Sequence, residues 1–470
     1  MRLIAAVALT AFALSLHAAE TRIADADIAI AKQLRDRALA GSGAFEIVES
    51  LTTEVGHRMA GTENDAKGVE WAVAKLKELG YDRVWTEPVT FPVWSRGEES
   101  ARIVAPREQT LAVAALGGSV GTPPQGITGE IVRFENLEAL QSATEDELRG
   151  RIAYIANRME RARDGSGYGR AVMARVHGAA YAGRLGAVAV IIRSIGTADS
   201  RFPHTGTMRY GDAPVRIPAA AVSNADADLI DNLVRRGPVA LELKLGARER
   251  GEYTSHNVIG EITGSEWPDS VVAMGAHLDS WDLATGAIDD GAGIGITFAA
   301  GRLIMEHGER PRRSVRVVAF ANEEQGLWGA RAYHEKYSPD IARHVIASES
   351  DFGGGRIYAL DAAVKPEARA AIDQMLEVLA PLGIEKGRDD ASGSADFGPM
   401  RRSGMAAIDL RQDGTVYFDY HHTADDTLDK LVPADLDQNV AAWAALVWMA
   451  ANAEGDFGSG QPPLAPEELP

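Results

Sequence analysis

Short apolar runs recur through the second half of this chain, and they limit what it can fold into. They are "SVVAMGA" (270–276), "SVRVVAF" (314–320), "HVIAS" (344–348) and "MAAIDL" (405–410). Each is too short for a buried helix and reads as a strand buried on both faces. Helical patterns lie between them, including "GIGITFAAGRLIMEHG" and "KPEARAAIDQMLEVLAPLG". Strands alternating with helices imply an α/β fold, a mostly parallel doubly wound sheet covered on both faces.

The first half has other textures. Residues 24–80 read as helical: "DAKGVEWAVAKLKELG" puts Val69, Ala72, Val73 and Leu76 on one face, with Gly80 as the stop. "DRVWTEPVTFPVW" follows as an extended segment interrupted by prolines. From Gly117 a Gly/Pro-rich entry leads to "RIAYIA", the helical "RVHGAAYAGRLGA", the strand "VAVIIRS" and finally "VALELKLG". That reads as a smaller α/β module over 117–249, inserted into a catalytic domain made of 20–116 and 250–455. Its two histidines, His177 and His204, are isolated and read as structural. The Pro/Gly-rich tail 456–470 is expected to be disordered.

The opening "MRLIAAVALTAFALSLHAAE" has one Arg, an apolar run from Leu3 to Leu16, then small residues. This is the pattern of a cleaved signal peptide over 1–19, and the run is shorter than the roughly 20 residues that span a bilayer. A secreted or periplasmic protein is expected. The 67 acidic against 48 basic residues, a net charge of −19, exclude nucleic acid and anionic membrane as partners by repulsion. With no cysteine in the chain, thiolate metal sites and cysteine nucleophiles are excluded, and a metal must be held by His and carboxylate.

In open α/β sheets, ligands bind beyond the carboxyl ends of the strands. His277 and Asp279 follow the first run, Glu323 and Glu324 the second, and Asp351 the third. After "GTVYFDY" come His421 and His422, leading into "TADDT". Four loops therefore deliver His or acid to one sheet edge. Consecutive strand residues face opposite ways, so Glu323 and Glu324 can share a site only if the strand has ended before them. Asp290 reads as the N-cap of the next helix and Asp282 as a loop acid.

The segments "GAHLDSWDLATGAIDDGAG", "ANEEQGLWGA", "ESDFGG" and "YHHTADDT" resemble the signature of the co-catalytic di-zinc exopeptidases, and of their carboxypeptidase Q-like members in particular. "GHRMAGTENDAKGVEWAVAKLKELGY" resembles that family's opening segment, and the inserted module resembles a protease-associated domain. The resemblance implies two Zn²⁺ ions held by His277, Asp289, Glu324, Asp351 and His422, with Asp289 as the bridge. It selects His422 over His421 and makes Asp426 a neighbour of the ligands. Asp279 would orient His277, and Glu323 would be the general base for the water that attacks the peptide bond. "SGSADFGPM" resembles a segment lining the substrate pocket. Ser394, Asp396 and Phe397 are candidates there, beside Tyr420 and His421, although a turn with a core Phe fits equally. Arg401, Arg402 and Arg411 read as surface salt-bridge partners, and Trp328 as packing.

The expected substrate is a dipeptide or short peptide, and the resemblance allows a homodimer. An aminopeptidase on longer peptides is the first alternative. A glutaminyl cyclase with one zinc, or an inactive receptor-like binding protein, are others; both conflict with a complete five-ligand set.

Overall fold

The computed structural model describes residues 20–460; the expected signal peptide and the last ten residues lie outside the described residues. Two eight-stranded sheets organise the chain. The first runs, edge to edge, through Arg83–Ser95, Arg248–Ile262, Arg313–Phe320, Trp267–His277, His344–Glu349, Ala407–Gln412, Ile357–Ala363 and Glu385–Lys386. Its four central strands, from Arg313–Phe320 to Ala407–Gln412, are parallel. Antiparallel pairings flank them on both sides, so the sheet is mixed rather than mostly parallel. The long first strand carries Pro88 and Pro92 and lies at the sheet edge, where a missing N–H breaks no ladder.

Register explains why the strand ends gather. His277 pairs with Phe320, and Gly275 with Glu349, so three neighbouring parallel strands stop at one level. Leu278 N–H donates to Phe320 O at 2.7 Å and Ser350 N–H to Gly275 O at 2.9 Å, extending that alignment past the strands. Beneath this edge lie Ala292–Glu306 and the twenty-residue helix Pro433–Asn452. The latter is apolar nearly all round and therefore belongs inside; Trp443 and Trp448 are fully buried in it. The helix Glu63–Glu78 starts on a Thr62 cap and turns Ala72 and Leu76 into the core, with Gly80 at φ +90° ending it.

The second sheet is ordered Gln109–Leu111, Glu99–Ala105, Ala240–Leu245, Ile127–Phe134, Ile152–Ile155, Ala189–Arg193, Ala219–Val222 and Val113–Ala115. It starts at Glu99 and not after Gly117. Glu99–Ala105 and Gln109–Leu111 mix polar and apolar residues, and Val113–Ala115 lies in the apolar run "LAVAAL" at 111–116. The tail also differs from expectation. Phe457 is fully buried, its carbonyl accepts from Lys365 N–H at 2.9 Å, and Gly460 N–H donates to Gly404 O. The buried aromatic, these backbone bonds and the Ser459 hydroxyl, which accepts from Ala406 N–H, tie residues 456–460 to the body of the protein. Among the described residues no helix is long and apolar enough to cross a membrane.

Candidate metal centre

Asp289 sits at the centre of the converging loops, in the turn between the His277 strand and the helix Ala292–Glu306. Its two oxygens face opposite ways. Oδ1 lies 3.1 Å from His277 Nε2, and Oδ2 lies 3.2 Å from His422 Nε2. Asp351 Oδ1 stands 3.6 Å from His277 Nε2 on one side, and Glu324 Oε2 stands 2.9 Å from His422 Nε2 on the other. Each imidazole thus shares a small space with one oxygen of Asp289 and one further carboxylate. His277, Asp289 and Glu324 offer ligand atoms within 4.8 Å of one another, as do His277, Asp290 and Asp351. All but Asp351 are buried.

The donor set fits zinc, which takes imidazole nitrogen and carboxylate oxygen. Asp289 Oδ2 and Glu324 Oε1 are buried without a hydrogen-bond partner, a costly arrangement unless a cation meets them. The shifted proton affinities of the same groups point to the same demand for positive charge. Burial opposes a proton on His277, but Asp279, Asp289 and Asp351 outweigh it and hold the imidazole well above its usual range. Burial opposes a charge on His422 too, yet Glu324 and Asp289 lift it to about 9. Glu324 is pushed up to about 7 by burial and by Asp289, even with His422 beside it.

The surrounding carboxylates hold this arrangement by gripping backbone. Asp279 accepts from Glu323 N–H at 2.9 Å and Glu324 N–H at 3.3 Å, while its Oδ1 lies 3.6 Å from His277 Nδ1. His277 Nδ1 also meets the Asp279 carbonyl at 3.0 Å. Asp426 accepts from Ile288 N–H at 2.6 Å and Asp289 N–H at 3.3 Å, fixing the peptides that carry Asp289. Asp290 accepts from Gly293 N–H at 3.0 Å, the expected N-cap bond, and its other oxygen takes His277 N–H at 3.1 Å. Gly293 is required there, since a Cβ would stand 2.0 Å from Ser350 O.

Glu323 follows the end of its strand at Phe320, in a turn closed by Gly326 N–H on Glu323 O at 2.9 Å. Both glutamates can therefore face the site. Burial, then Asp351, Glu324 and Asp279, push the Glu323 carboxyl well above the usual range, although His277 pulls the other way. Non-glycine residues with positive φ cluster around the same edge: Asn322, Leu327, Ser394 and His422, between +52° and +60°. Such backbone persists only where neighbours impose it, and it concentrates at functional sites.

Other expected residues fall at different distances. His421 stacks on His422 with ring centroids 3.6 Å apart, and its Nε2 is 3.6 Å from Asp289 Oδ2. Burial and His422 push it well below the usual histidine range, so it stays neutral. Ser394 lines a cavity of about 210 Å³ with Glu349, Asp351, Phe352 and Asp409. Tyr420 lines a separate, smaller cavity with Tyr417 and Lys430. Asp396 is fully buried, its N–H donating to Glu349 Oε2 at 2.7 Å and its carboxyl oxygens unpartnered. Phe397 is core, edge-on to Phe320. Arg411 pairs with Asp361, and Arg401 holds backbone carbonyls.

Three contributors escape sequence reasoning. Arg58 is fully buried and donates to Leu278 O, Thr285 O and Gly286 O at 2.6–2.9 Å, clamping both ends of the Asp289 loop. Asp282, read as an idle loop acid, grips Arg96 with both oxygens. The third is the stretch His204–Thr207, which reaches His422 from the second sheet's side of the molecule. Only the charge of Arg58 inside "GHRMAG" hints at any of them, because their partners are distant in sequence.

Comparison with known proteins agrees with this geometry. Residues 257–447 match the model of peptidase family M28. Carboxypeptidase Q of Xenopus laevis is 34% identical over 90% of this chain and 90% of its own length; that of Homo sapiens is 34% identical over 90% and 89%. The crystal structure of a peptidase M28 precursor from Shewanella amazonensis superposes with a TM-score of 0.91 at 48% identity, covering 94% of this chain and 99% of that one. An aminopeptidase from Aneurinibacillus sp. strain AM-1, at 21% identity and a TM-score of 0.63 over 93% and 98%, shares the fold. The chain belongs to peptidase family M28, and it is a metallopeptidase.

Proposed function

We propose that this chain is a secreted or periplasmic di-zinc exopeptidase that hydrolyses dipeptides and the ends of short peptides. The observation that carries the reading is the pair of Asp289 oxygens, one turned to His277 and the other to His422. His277 and Asp351 would hold one ion, His422 and Glu324 the second, and Asp289 would bridge them. Bound zinc would polarise the scissile carbonyl and acidify water. Glu323 would take the proton of the attacking water and deliver it to the leaving amine nitrogen. Asp279 orients His277 through its backbone carbonyl and holds the Glu323 turn in register through its carboxylate, so base and ligand are positioned by one residue.

We propose free dipeptides as the substrate and a homodimer as the assembly, as the resemblance of the sequence motifs implies. We read the second-sheet module as a protease-associated domain. The cavity beside Asp351, lined by Asp164, Glu349, Asp409 and Arg411, offers room for more than a dipeptide and motivates a second reading in which longer peptides are trimmed from the amino terminus. A panel of dipeptides, N-blocked and C-blocked analogues and longer peptides separates the two. Turnover of free dipeptides, lost on chelation and restored by zinc, supports the first. Turnover unchanged after complete metal removal overturns both.

A further inference from the structure

The site is not built from the first sheet alone. His422 Nδ1 lies 3.4 Å from Thr205 O, and Thr205 N–H donates to His422 O at 3.0 Å. Two residues on, Thr207 Oγ1 donates to Glu324 O at 2.6 Å. The backbone between them, at Gly206, passes so close that a Cβ would stand 2.8 Å from His422 Nδ1 and 2.3 Å from Arg175 Nη1. Gly206 is held at φ +129°, where other residues are strained.

This stretch is itself fixed from several directions. Gly117 N–H donates to Gly206 O and Met208 N–H to Gly117 O, each at 2.9 Å. Arg175 Nη1 donates to Thr205 O at 3.2 Å. Thr205 Oγ1 donates to Ala115 O at 2.8 Å and accepts from Arg96, which is anchored in turn on Asp282. The other face of His422 is closed by Trp281, 5.8 Å away between ring centroids. The second imidazole, His277, uses nothing from this side; its Nδ1 partner is Asp279 of its own strand end.

We propose that the Thr205–Thr207 stretch is a positioning element for one half of the metal centre, the half made by His422 and Glu324. Accepting at Nδ1, the Thr205 carbonyl fixes the imidazole tautomer that leaves Nε2 free toward Asp289 and Glu324. The Thr207 hydroxyl holds the peptide of Glu324 at the same half. The proposal rests on the di-zinc reading above and adds that the two ions depend on different parts of the chain.

The test titrates zinc into metal-stripped full-length protein and reads stoichiometry and stepwise affinity by calorimetry and elemental analysis. Gly206→Ala and the milder Thr207→Val are compared with wild type. Wild type takes up two ions. Both variants keep one at wild-type affinity and bind the other about 10–100-fold more weakly, the usual cost of losing an outer support. Adding His422→Ala to Gly206→Ala brings less than the product of the two single effects, because they act on one ion. Two wild-type affinities in both variants, or equal weakening of both ions, overturns the proposal while leaving the di-zinc reading intact. A wild-type protein that never takes up a second ion overturns the di-zinc reading and the proposal with it. Should Gly206→Ala not fold, Thr207→Val alone decides between these outcomes.

Discussion

The two imidazoles that face Asp289 are alike in chemistry and unlike in support. His277 ends a central strand, is flanked by two parallel neighbours, and takes its orienting contacts from Asp279 and Asp290, 2 and 13 residues away. His422 lies in a loop at φ +60°, and is oriented by Thr205, more than two hundred residues earlier in the chain. One half of the centre is therefore a product of the strand edge. The other is made by contact between two sheets, and anything that shifts one sheet against the other is felt there first. A site assembled across such a contact can be loosened without unfolding either part.

The comparison breaks most completely at Asp289, the one residue common to both halves. In an Asp289→Ala variant, peptidase activity falls to background and zinc uptake at both positions weakens together, read by elemental analysis after dialysis. A variant that loses one ion only would remove Asp289 from the bridging position. Next in size is Glu323→Gln, which keeps the amide-sized side chain but not the base. It lowers kcat about 10²–10⁴-fold while zinc content and KM stay near wild type; a KM effect alone would assign Glu323 to binding. Asp279→Asn sharpens the His277 half. It removes charge from the carboxylate that accepts from the Glu323 and Glu324 N–H groups and lies near His277, and weakens zinc about 10–100-fold at the His277 half, with a smaller loss at the half that holds Glu324. An equal change at the His422 half would show that the halves are not separately supported.

A stability measurement supplies a control that touches neither half. His344 is buried against Tyr333, and burial pushes its pKa down to about 3. In the unfolded chain it titrates near 6.5, so between these values the unfolded state binds the extra proton. The contribution of neutral His344 is complete above about pH 6.5. It declines by about 1.4 kcal/mol per pH unit as pH falls toward 3. His344→Gln should flatten the stability–pH slope by that amount between about pH 4 and 6, measured by denaturant titration. An unchanged slope would mean that His344 keeps its proton-binding character in the fold. Gly206→Ala should leave the slope as in wild type.

How far these features were legible in the sequence follows the same division. The His277 half could be read from local pattern, because a strand ends, the chain turns, and acids follow at short spacing. Glu323 and Glu324 could be placed together by the argument that the strand stops before them, and the turn at Gly326 has that form. The mixed character of the sheet was hidden, since Arg248–Ile262 and Ile357–Ala363 pair antiparallel through contacts that no periodicity records. Three strands of the second sheet lie between 99 and 115, ahead of the Gly/Pro-rich entry at 117. Thr205, Gly206 and Arg58 were invisible for one reason: backbone carbonyls and a glycine's missing Cβ do the holding, and neither has a spacing signature. His204 was read as isolated, yet its neighbours reach the site.

Anomalous diffraction at the zinc edge on zinc-loaded crystals reads out whether Asp289 spans two metal positions. Two zinc peaks are expected, one between His277 and Asp351 and one between His422 and Glu324, each in contact with a different oxygen of Asp289. A single peak, or two peaks that leave Asp289 bound to only one ion, would contradict the bridging position of Asp289.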